Sequence, residues 1–369
     1  METAGPEASV QIVVPARDEE ENIGRCLESL VQQQGIGSSI TVVDDGSRDH
    51  TRAIAESFPG VRVISAPDPA PGITGKCNAL IHGAQGATSQ WLLFTDADTF
   101  HYPGSLARAV AEAEQRGADL LSYSPEQETG TWTERALMPV VFADLARTYP
   151  PARVNDPSDP TVAANGQYLL IRRRVYESLG GHKTVASMVL EDVELARIFK
   201  ASHHLIWFRH GAGLVRTRMY RTFHAMVAGW TKNLALLFHR PVFLAAARGV
   251  EFLAIPALIL TGLISLSQVD RLAGILFLVS GLLWAALFGR RIREAHFAGP
   301  ANLVAFLGLP LFAWLLLRSW WHVTVCGAVT WKGRTYTHSR GDFAAHSAAY
   351  SAPQGDADSS ISRSPEVKS

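Results

Sequence analysis

The residues best suited to chemistry in this chain are acidic and come in short clusters. Asp96 and Asp98 flank one alanine in FTDAD, Asp44 and Asp45 precede Gly46 in VDDGSRDHT, and Glu191 and Asp192 stand together in VLEDVELA. Two carboxylates one residue apart suit a hard divalent cation, which takes oxygen ligands and can carry a diphosphate, so magnesium or manganese is the expected occupant of Asp96 and Asp98. A bare D-x-D is otherwise a solvated loop. Asp44 and Asp45 offer carboxylates to the hydroxyls or ring nitrogens of a nucleoside, and the plain alternative is a turn with a helix N-cap. Lys76 in GITGKCNAL follows Gly72 and Gly75, whose backbone freedom lets the ammonium approach a phosphate. The G-x-x-x-x-G-K-[ST] frame is absent, so this is not a P-loop. For Glu191 and Asp192 the alternative to catalysis is favourable charge at a helix N-terminus.

The elements around these clusters decide between the readings. VQIVVP (Val10 to Pro15) reads as a strand, and Ile23, Leu27, Leu30 and Val31 then recur at helical spacing. ITVV (Ile40 to Val43) runs into Asp44, a polar helix follows from about Asp49 to Ser57, and Val61 to Ser65 and Trp91 to Thr95 supply two more strands. Strands alternating with helices imply an α/β fold with a mainly parallel sheet, whose ligands gather at the carboxyl ends of the strands. The clusters at strand ends should therefore converge on one crevice.

Composition narrows the function. Lysine plus arginine equals aspartate plus glutamate at 34 each, so no excess of positive charge is available to wrap a nucleic acid. Cys26, Cys77 and Cys326 are far apart without metal-ligand spacing, which fits a reducing compartment. Met1 to Ser9 lacks the basic and apolar regions of a secretory signal. Beyond Arg240 the character changes: Phe252–Leu266, Leu272–Gly289 and Ala298–Leu317 are long apolar stretches between charge clusters. The reading is a catalytic domain over 1–240, a membrane domain of about three apolar segments over 241–338 and a disordered tail over 339–369. Arg290, Arg291 and Arg293 place the loop after the second segment in the cytoplasm; Pro310 is expected to break the third into a re-entrant or interfacial hairpin.

Taken in order, VVPARDEE, VDDGSRDHT, GKCNAL, FTDAD and VLEDVELA resemble the family 2 glycosyltransferases of the GT-A (Rossmann-like) fold. The resemblance implies a nucleotide-sugar donor, with UDP-hexose the first expectation, held by Pro15, Ala16, Glu19, Asp44, Asp45, Lys76 and Asp96, and a metal on Asp96 and Asp98. It implies inversion at the anomeric carbon with Asp192 as general base. Acceptor or diphosphate contacts are expected from Glu191, Asn165, Gly166, Arg218, Arg221, Trp230 and Lys232. The segment GLVRTRMYRTFHAMVAGWTKN reads as an amphipathic interfacial helix whose arginines meet headgroups. Arg221 is followed by threonine, so the Q-x-x-R-W pattern of processive polysaccharide synthases is missing. MYRTF, GWTKN and WKGRTY are similar to bacterial enzymes associated with hopanoid and carotenoid glycosylation, implying a lipid hydroxyl as acceptor at the inner (cytoplasmic) membrane. Arg135 to Arg147 is either a route for that lipid or a core helix. Transfer to a polyprenyl phosphate and a non-catalytic nucleotide-sugar-binding subunit are the alternatives.

Overall fold

In the computed structural model, residues 9–267, 270–297, 299–326, 328–331 and 334–337 are described. The expected disordered tail lies outside them. Twelve strands are formed: β1 (Ser9–Ala16), β2 (Gly37–Asp44), β3 (Val61–Ser65), β4 (Trp91–Phe94), β5 (Thr99–His101), β6 (Leu120–Ser124), β7 (Glu126–Gln127), β8 (Leu169–Arg172), β9 (Ile206–His210), β10 (Val215–Thr217), β11 (Ala328–Trp331) and β12 (Arg334–Thr337). The α-helices of the catalytic half are α1 (Ile23–Val31), α2 (Thr51–Glu56), α3 (Gly75–Ala84), α4 (Ser105–Arg116), α5 (Trp132–Thr148), α6 (Pro151–Val154), α7 (Arg173–Ser178), α8 (Glu191–Ala201) and α9 (Phe223–Leu237).

The β-branched and leucine-rich runs of β1 and β4 are buried on both faces, as a sheet covered by helices on each side requires. Seven strands form the main sheet in the order β3-β2-β1-β4-β8-β6-β9. β1, β2, β3 and β4 run parallel, with Ala16 opposite Asp44 and Val13 opposite Phe94. Their carboxyl ends therefore share one edge. β8 runs antiparallel to β4 and β6, with Leu169 opposite Phe94. The residues that precede β8, Asn165 to Tyr168, are thereby delivered to the edge where β4 releases Asp96. A small sheet, β5-β10-β7, stands beside this edge.

GLVRTRMYRTFHAMVAGWTKN is not one helix. Val215–Thr217 is a strand, and α9 starts only at Phe223, where the Thr222 side chain accepts from the Ala225 N–H. Nor do its first arginines face headgroups: Arg216 pairs with Glu128 at 3.0 Å and Arg218 with Glu134 at 3.2 Å. Those glutamates lie more than eighty residues upstream, which sequence spacing does not reveal.

α10 (Pro241–Leu266) and α11 (Arg271–Arg293) form an antiparallel hairpin. Gly262, Gly274 and Gly281 allow it: a β-carbon on any of them would press into the other helix, at Leu278, Leu266 and Ile259 respectively. Helix α10 begins eleven residues before the apolar run expected from Phe252, because Arg248 and Glu251 are neutralised inside the fold. Asp144 of α5 accepts from Arg248 at 2.6 and 2.7 Å, and Glu251 accepts from Arg248 at 3.0 Å and Arg291 at 2.7 Å. The third stretch comprises α12 (Gly299–Val304), a 3₁₀ turn (Ala305–Leu307), α13 (Gly308–Trp321) and a π-turn (His322–Cys326). Pro310 does not break it. It sits in the first turn of α13, where a helix has no use for the missing N–H. Pro241–Leu266, Arg271–Arg293 and Ala301–Cys326 are each long and apolar enough to cross a membrane.

Candidate active site

A cavity of about 720 Å³ opens at the carboxyl edge of the main sheet. Its lining includes Pro15, Ala16, Arg17, Glu19 and Asp45 beside the ends of β1 and β2, the polar group Lys76, Asp96, Asp98, Asn165, Gly166, Gln167, Glu191 and Asp192, and the mostly apolar Phe142, Leu145, Tyr149, Val162, Phe208 and Leu237. Arg218, Arg221, Trp230 and Lys232 also line it. The acidic clusters, separated by up to 150 residues of chain, thus meet in one crevice.

At its centre the Lys76 ammonium lies 2.9 Å from Asp96 Oδ1 and 2.9 Å from Glu191 Oε1. Lys76 is on the first turn of α3, whose start is fixed by the Thr74 side chain accepting from the Cys77 N–H. Burial alone would discharge this lysine, but Asp96, Glu191 and Asp192 hold it well above its ordinary range. Asp192 Oδ2 accepts from the Gly166 N–H at 2.6 Å and Oδ1 from the Val193 N–H at 2.9 Å. Burial and the neighbouring Glu191 charge nevertheless push its carboxyl up to about 6. Burial pushes Glu191 the same way, yet Lys76 and Lys232 hold it below the usual glutamate range. Two adjacent carboxylates are therefore driven apart: one stays a permanent anion, the other titrates near neutrality and is suited to taking a proton.

Gly166 is a condition of this arrangement. A β-carbon there would lie 3.0 Å from Lys76 Nζ and 3.3 Å from Asp192 Oδ2, so any side chain would push these charged groups aside by a few tenths of an ångström. Lys232 reaches the same cluster from α9; burial lowers it, and Glu191 opposes that shift. Asp98 is approached by Gln167 Nε2 at 3.4 Å, and Gln167 is anchored by its carbonyl accepting from Thr95 Oγ1 at 2.7 Å. Gln167 thus joins Asn165 and Gly166, its neighbours in sequence, in the cavity lining.

Asp44 is the expected donor residue that the structure does not bring to the cavity lining. Its carboxylate, buried under the turn, accepts from the Ser47 N–H at 3.1 Å and lies 3.9 Å from Arg52. It shapes the turn that presents Asp45, while Arg17 donates to the Asp45 carbonyl at 2.7 Å. Glu19 lines the cavity but also accepts from the Asn22 amide at 2.8 Å, and Arg221 donates to Asn22 at 2.8 and 3.0 Å, tying the start of α9 to the donor end. Arg218 is engaged by Glu134.

Among the described residues no three His, Cys, Asp or Glu side chains form a metal-binding group. Asp96 and Asp98 are two carboxylates open to the cavity, a donor set that fits a magnesium-like ion completed by phosphate and water oxygens rather than a closed protein cage. His204 pairs with Asp119 at 2.8 Å and His210 stacks on His296, as expected of structural histidines. Cys26 and Cys77 are buried free thiols.

Residues 11–180 match the model of Glycosyl transferase family 2. The 4,4'-diaponeurosporenoate glycosyltransferase of Staphylococcus aureus strain MRSA252 is 29% identical over 343 residues, covering 90% of this chain and 89% of that protein. Its counterpart in strain USA300 is 27% identical over 357 residues, with coverages of 90% and 89%. Among solved structures, the mannosyltransferase PcManGT from Pyrobaculum calidifontis in complex with GDP-Man and Mn2+ aligns with 85% of this chain and 86% of its own, at 17% identity and a TM-score of 0.48. Glucosyl-3-phosphoglycerate synthase from Mycobacterium tuberculosis aligns with 63% of this chain and 79% of its own, at 18% identity and a TM-score of 0.41. With Asp45, Lys76, Asp96 and Asp98 of the matched segment at the carboxyl edge of a mainly parallel sheet, the chain is a glycosyltransferase whose residues 11–180 carry a Glycosyl transferase family 2 domain.

Proposed function

We propose that this enzyme transfers a hexose from a UDP-sugar to a terminal oxygen of an elongated, carotenoid-type lipid, with inversion, at the cytoplasmic face of the inner membrane. The observation that carries the reading is the continuity of the cavity. Its lining beside the ends of β1 and β2 suits a nucleoside diphosphate, its polar group holds a carboxylate that titrates near neutrality, and its mostly apolar lining offers Phe142, Leu145, Val162, Phe208 and Leu237 to an apolar chain. The curated relatives, named for 4,4'-diaponeurosporenoate, an elongated apolar carboxylate, support the apolar chain of the acceptor, and the hydroxyl is this proposal's own.

In this reading Asp45 and Pro15 flank the nucleoside, and Asp96 and Asp98 hold magnesium or manganese, which neutralises charge on the diphosphate when bound. Lys76, already charged and anchored by Glu191, faces the departing diphosphate. The acceptor hydroxyl attacks the anomeric carbon from the face opposite the diphosphate; its C–O bond forms as the bond to the diphosphate breaks, and Asp192 takes the hydroxyl proton. Gly166 and Val193 N–H groups hold the Asp192 carboxylate in place for that transfer.

The test is to incubate purified protein with magnesium or manganese, a panel of labelled nucleotide sugars and either carotenoid-containing or total bacterial lipid, and identify products by mass spectrometry. A neutral glycolipid made by the unsubstituted protein and lost in Asp192→Asn is the expected result. A sugar phosphate of a polyprenol would replace the hydroxyl acceptor by a phosphate. Binding of a nucleotide sugar without transfer to any lipid would reduce the chain to a binding subunit.

A further inference from the structure

The third apolar stretch, Ala301–Cys326, equals α10 in length but is packed differently. At ~1.5 Å per residue its 26 residues extend ~39 Å, enough to cross ~30 Å of hydrocarbon. A crossing would carry one end far from the catalytic half. Its buried face packs on α10, with the Phe306 ring 5.2 Å from that of Phe252, and also keeps contact with the catalytic half along its length. Near its start, a β-carbon on Gly308 would collide with the Ala136 carbonyl of α5. In its middle, the Phe312 ring lies 5.9 Å from that of Phe238, just past α9. Towards its end, Arg318 donates to Thr231 of α9 at 3.1 Å, Ser319 Oγ accepts from the Ala235 N–H at 2.8 Å, and Val323 packs on Ala235. These partners belong to the helices that line the cavity: α9 also supplies Lys232, and α5 supplies Phe142 and Leu145.

The opposite face is a continuous exposed stripe. Leu303, Leu307, Trp314, Leu317, Trp321 and Val325 are 85, 57, 45, 44, 53 and 48% exposed and fall on one side at steps of three, four or seven residues. By contrast, the outer part of the α10–α11 hairpin is exposed on nearly every side except where the two helices meet: Leu253, Leu260, Leu263, Leu272, Leu276 and Leu283 all face outward.

From this contrast we propose that only the α10–α11 hairpin enters the bilayer deeply, while Ala301–Cys326 lies flat in the interface, its stripe in the acyl–headgroup boundary and its buried face forming the floor beneath α5 and α9. The occupant of the stripe is lipid: two tryptophans on an otherwise aliphatic face are the composition of an interfacial surface. β11, which packs on α9, then returns to the catalytic side. The acceptor cavity is held against the membrane surface, so a lipid needs to lift only its reactive end out of the bilayer. The inference rests on the membrane attachment proposed above.

The test measures depth. In the full-length protein carrying Cys326→Ser, with Cys26 and Cys77 buried, single cysteines are introduced by Leu307→Cys, Trp314→Cys, Trp321→Cys and, in the hairpin, Val279→Cys. Each is labelled with an environment-sensitive fluorophore in phosphatidylglycerol–phosphatidylcholine vesicles containing lipids quenching at shallow or deep acyl positions. The proposal requires the three stripe probes to share one shallow depth and the Val279 probe to be deep. A stripe profile that deepens at Trp314 and becomes shallow again at both ends would overturn it in favour of a third crossing. Stripe probes quenched by neither lipid beside a deep Val279 probe would overturn it in favour of a protein partner, such as a second copy. If the Val279 probe is also unquenched, the membrane attachment itself fails.

Discussion

Asp192 and Glu191 are chemically similar neighbours made different by their contacts. Glu191 is held by Lys76 at 2.9 Å, whereas Asp192 receives backbone N–H groups only and is pushed up to about 6 by burial and the Glu191 charge. A base works in its ionised form, so kcat/KM should be level above about pH 6 and fall about tenfold per unit below it, read from a pH profile with saturating metal. Glu191→Gln removes the like charge, which lowers the Asp192 carboxyl and moves that acid limb to lower pH; an unmoved limb would show that another group titrates. Asp192→Asn should reduce transfer by roughly 10²–10⁴-fold while leaving nucleotide-sugar binding intact, as measured by calorimetry. At Gly166, alanine would press on Lys76 and Asp192 at 3.0 and 3.3 Å. A displacement of this kind should lower kcat by roughly ten- to a hundredfold with little change in melting temperature.

At the scale of elements, α5 has two duties. Its Phe142, Leu145 and nearby Tyr149 line the cavity, and its Asp144, between them in sequence, fastens it to the hairpin through Arg248. Of the two expectations for this segment the core helix is observed, and its cavity-lining side chains belong to the acceptor route proposed above. Asp144, Arg248, Glu251 and Arg291 form a buried, electrically balanced group, so removing one member leaves a charge without compensation. Asp144→Leu should cost about 3–5 kcal/mol, seen as a lower unfolding midpoint in detergent. A midpoint unchanged from the parent protein would mean that the hairpin is held by apolar packing alone.

For the whole molecule, the division of the chain follows burial. Beyond its glycine-lined seam and its contacts with α5 and α13, the hairpin leaves its outward leucines uncovered, as a surface suited to lipid does. Arginine near the centre of such a helix costs ~2.5–3.5 kcal/mol, so Leu260→Arg combined with Val279→Arg should shift the protein from carbonate-washed membranes to the soluble or aggregated fraction. The Asp44, Asp45 pair and the Asp96, Asp98 pair directly follow apolar strand runs and so lie at strand ends, which pointed to one crevice; the Glu191, Asp192 pair opens a helix and is joined to them only by the fold. Period and apolar length likewise defined the first four strands and the two hairpin helices to within a few residues, apart from the start of α10, where Arg248 and Glu251 look like a boundary until Asp144 and Arg291 neutralise them. What only the tertiary structure decided depends on partners distant in sequence. Glu128 and Glu134 claim Arg216 and Arg218; the antiparallel β8 sets Gly166 between Lys76 and Asp192; Asp44 turns into the fold while Asp45 faces the cavity; and Pro310 falls in a first turn rather than at a break. Local sequence encodes backbone preference and periodicity, but the charge state of a carboxylate and the side of a helix that meets protein are set by whichever groups the fold brings within a few ångströms.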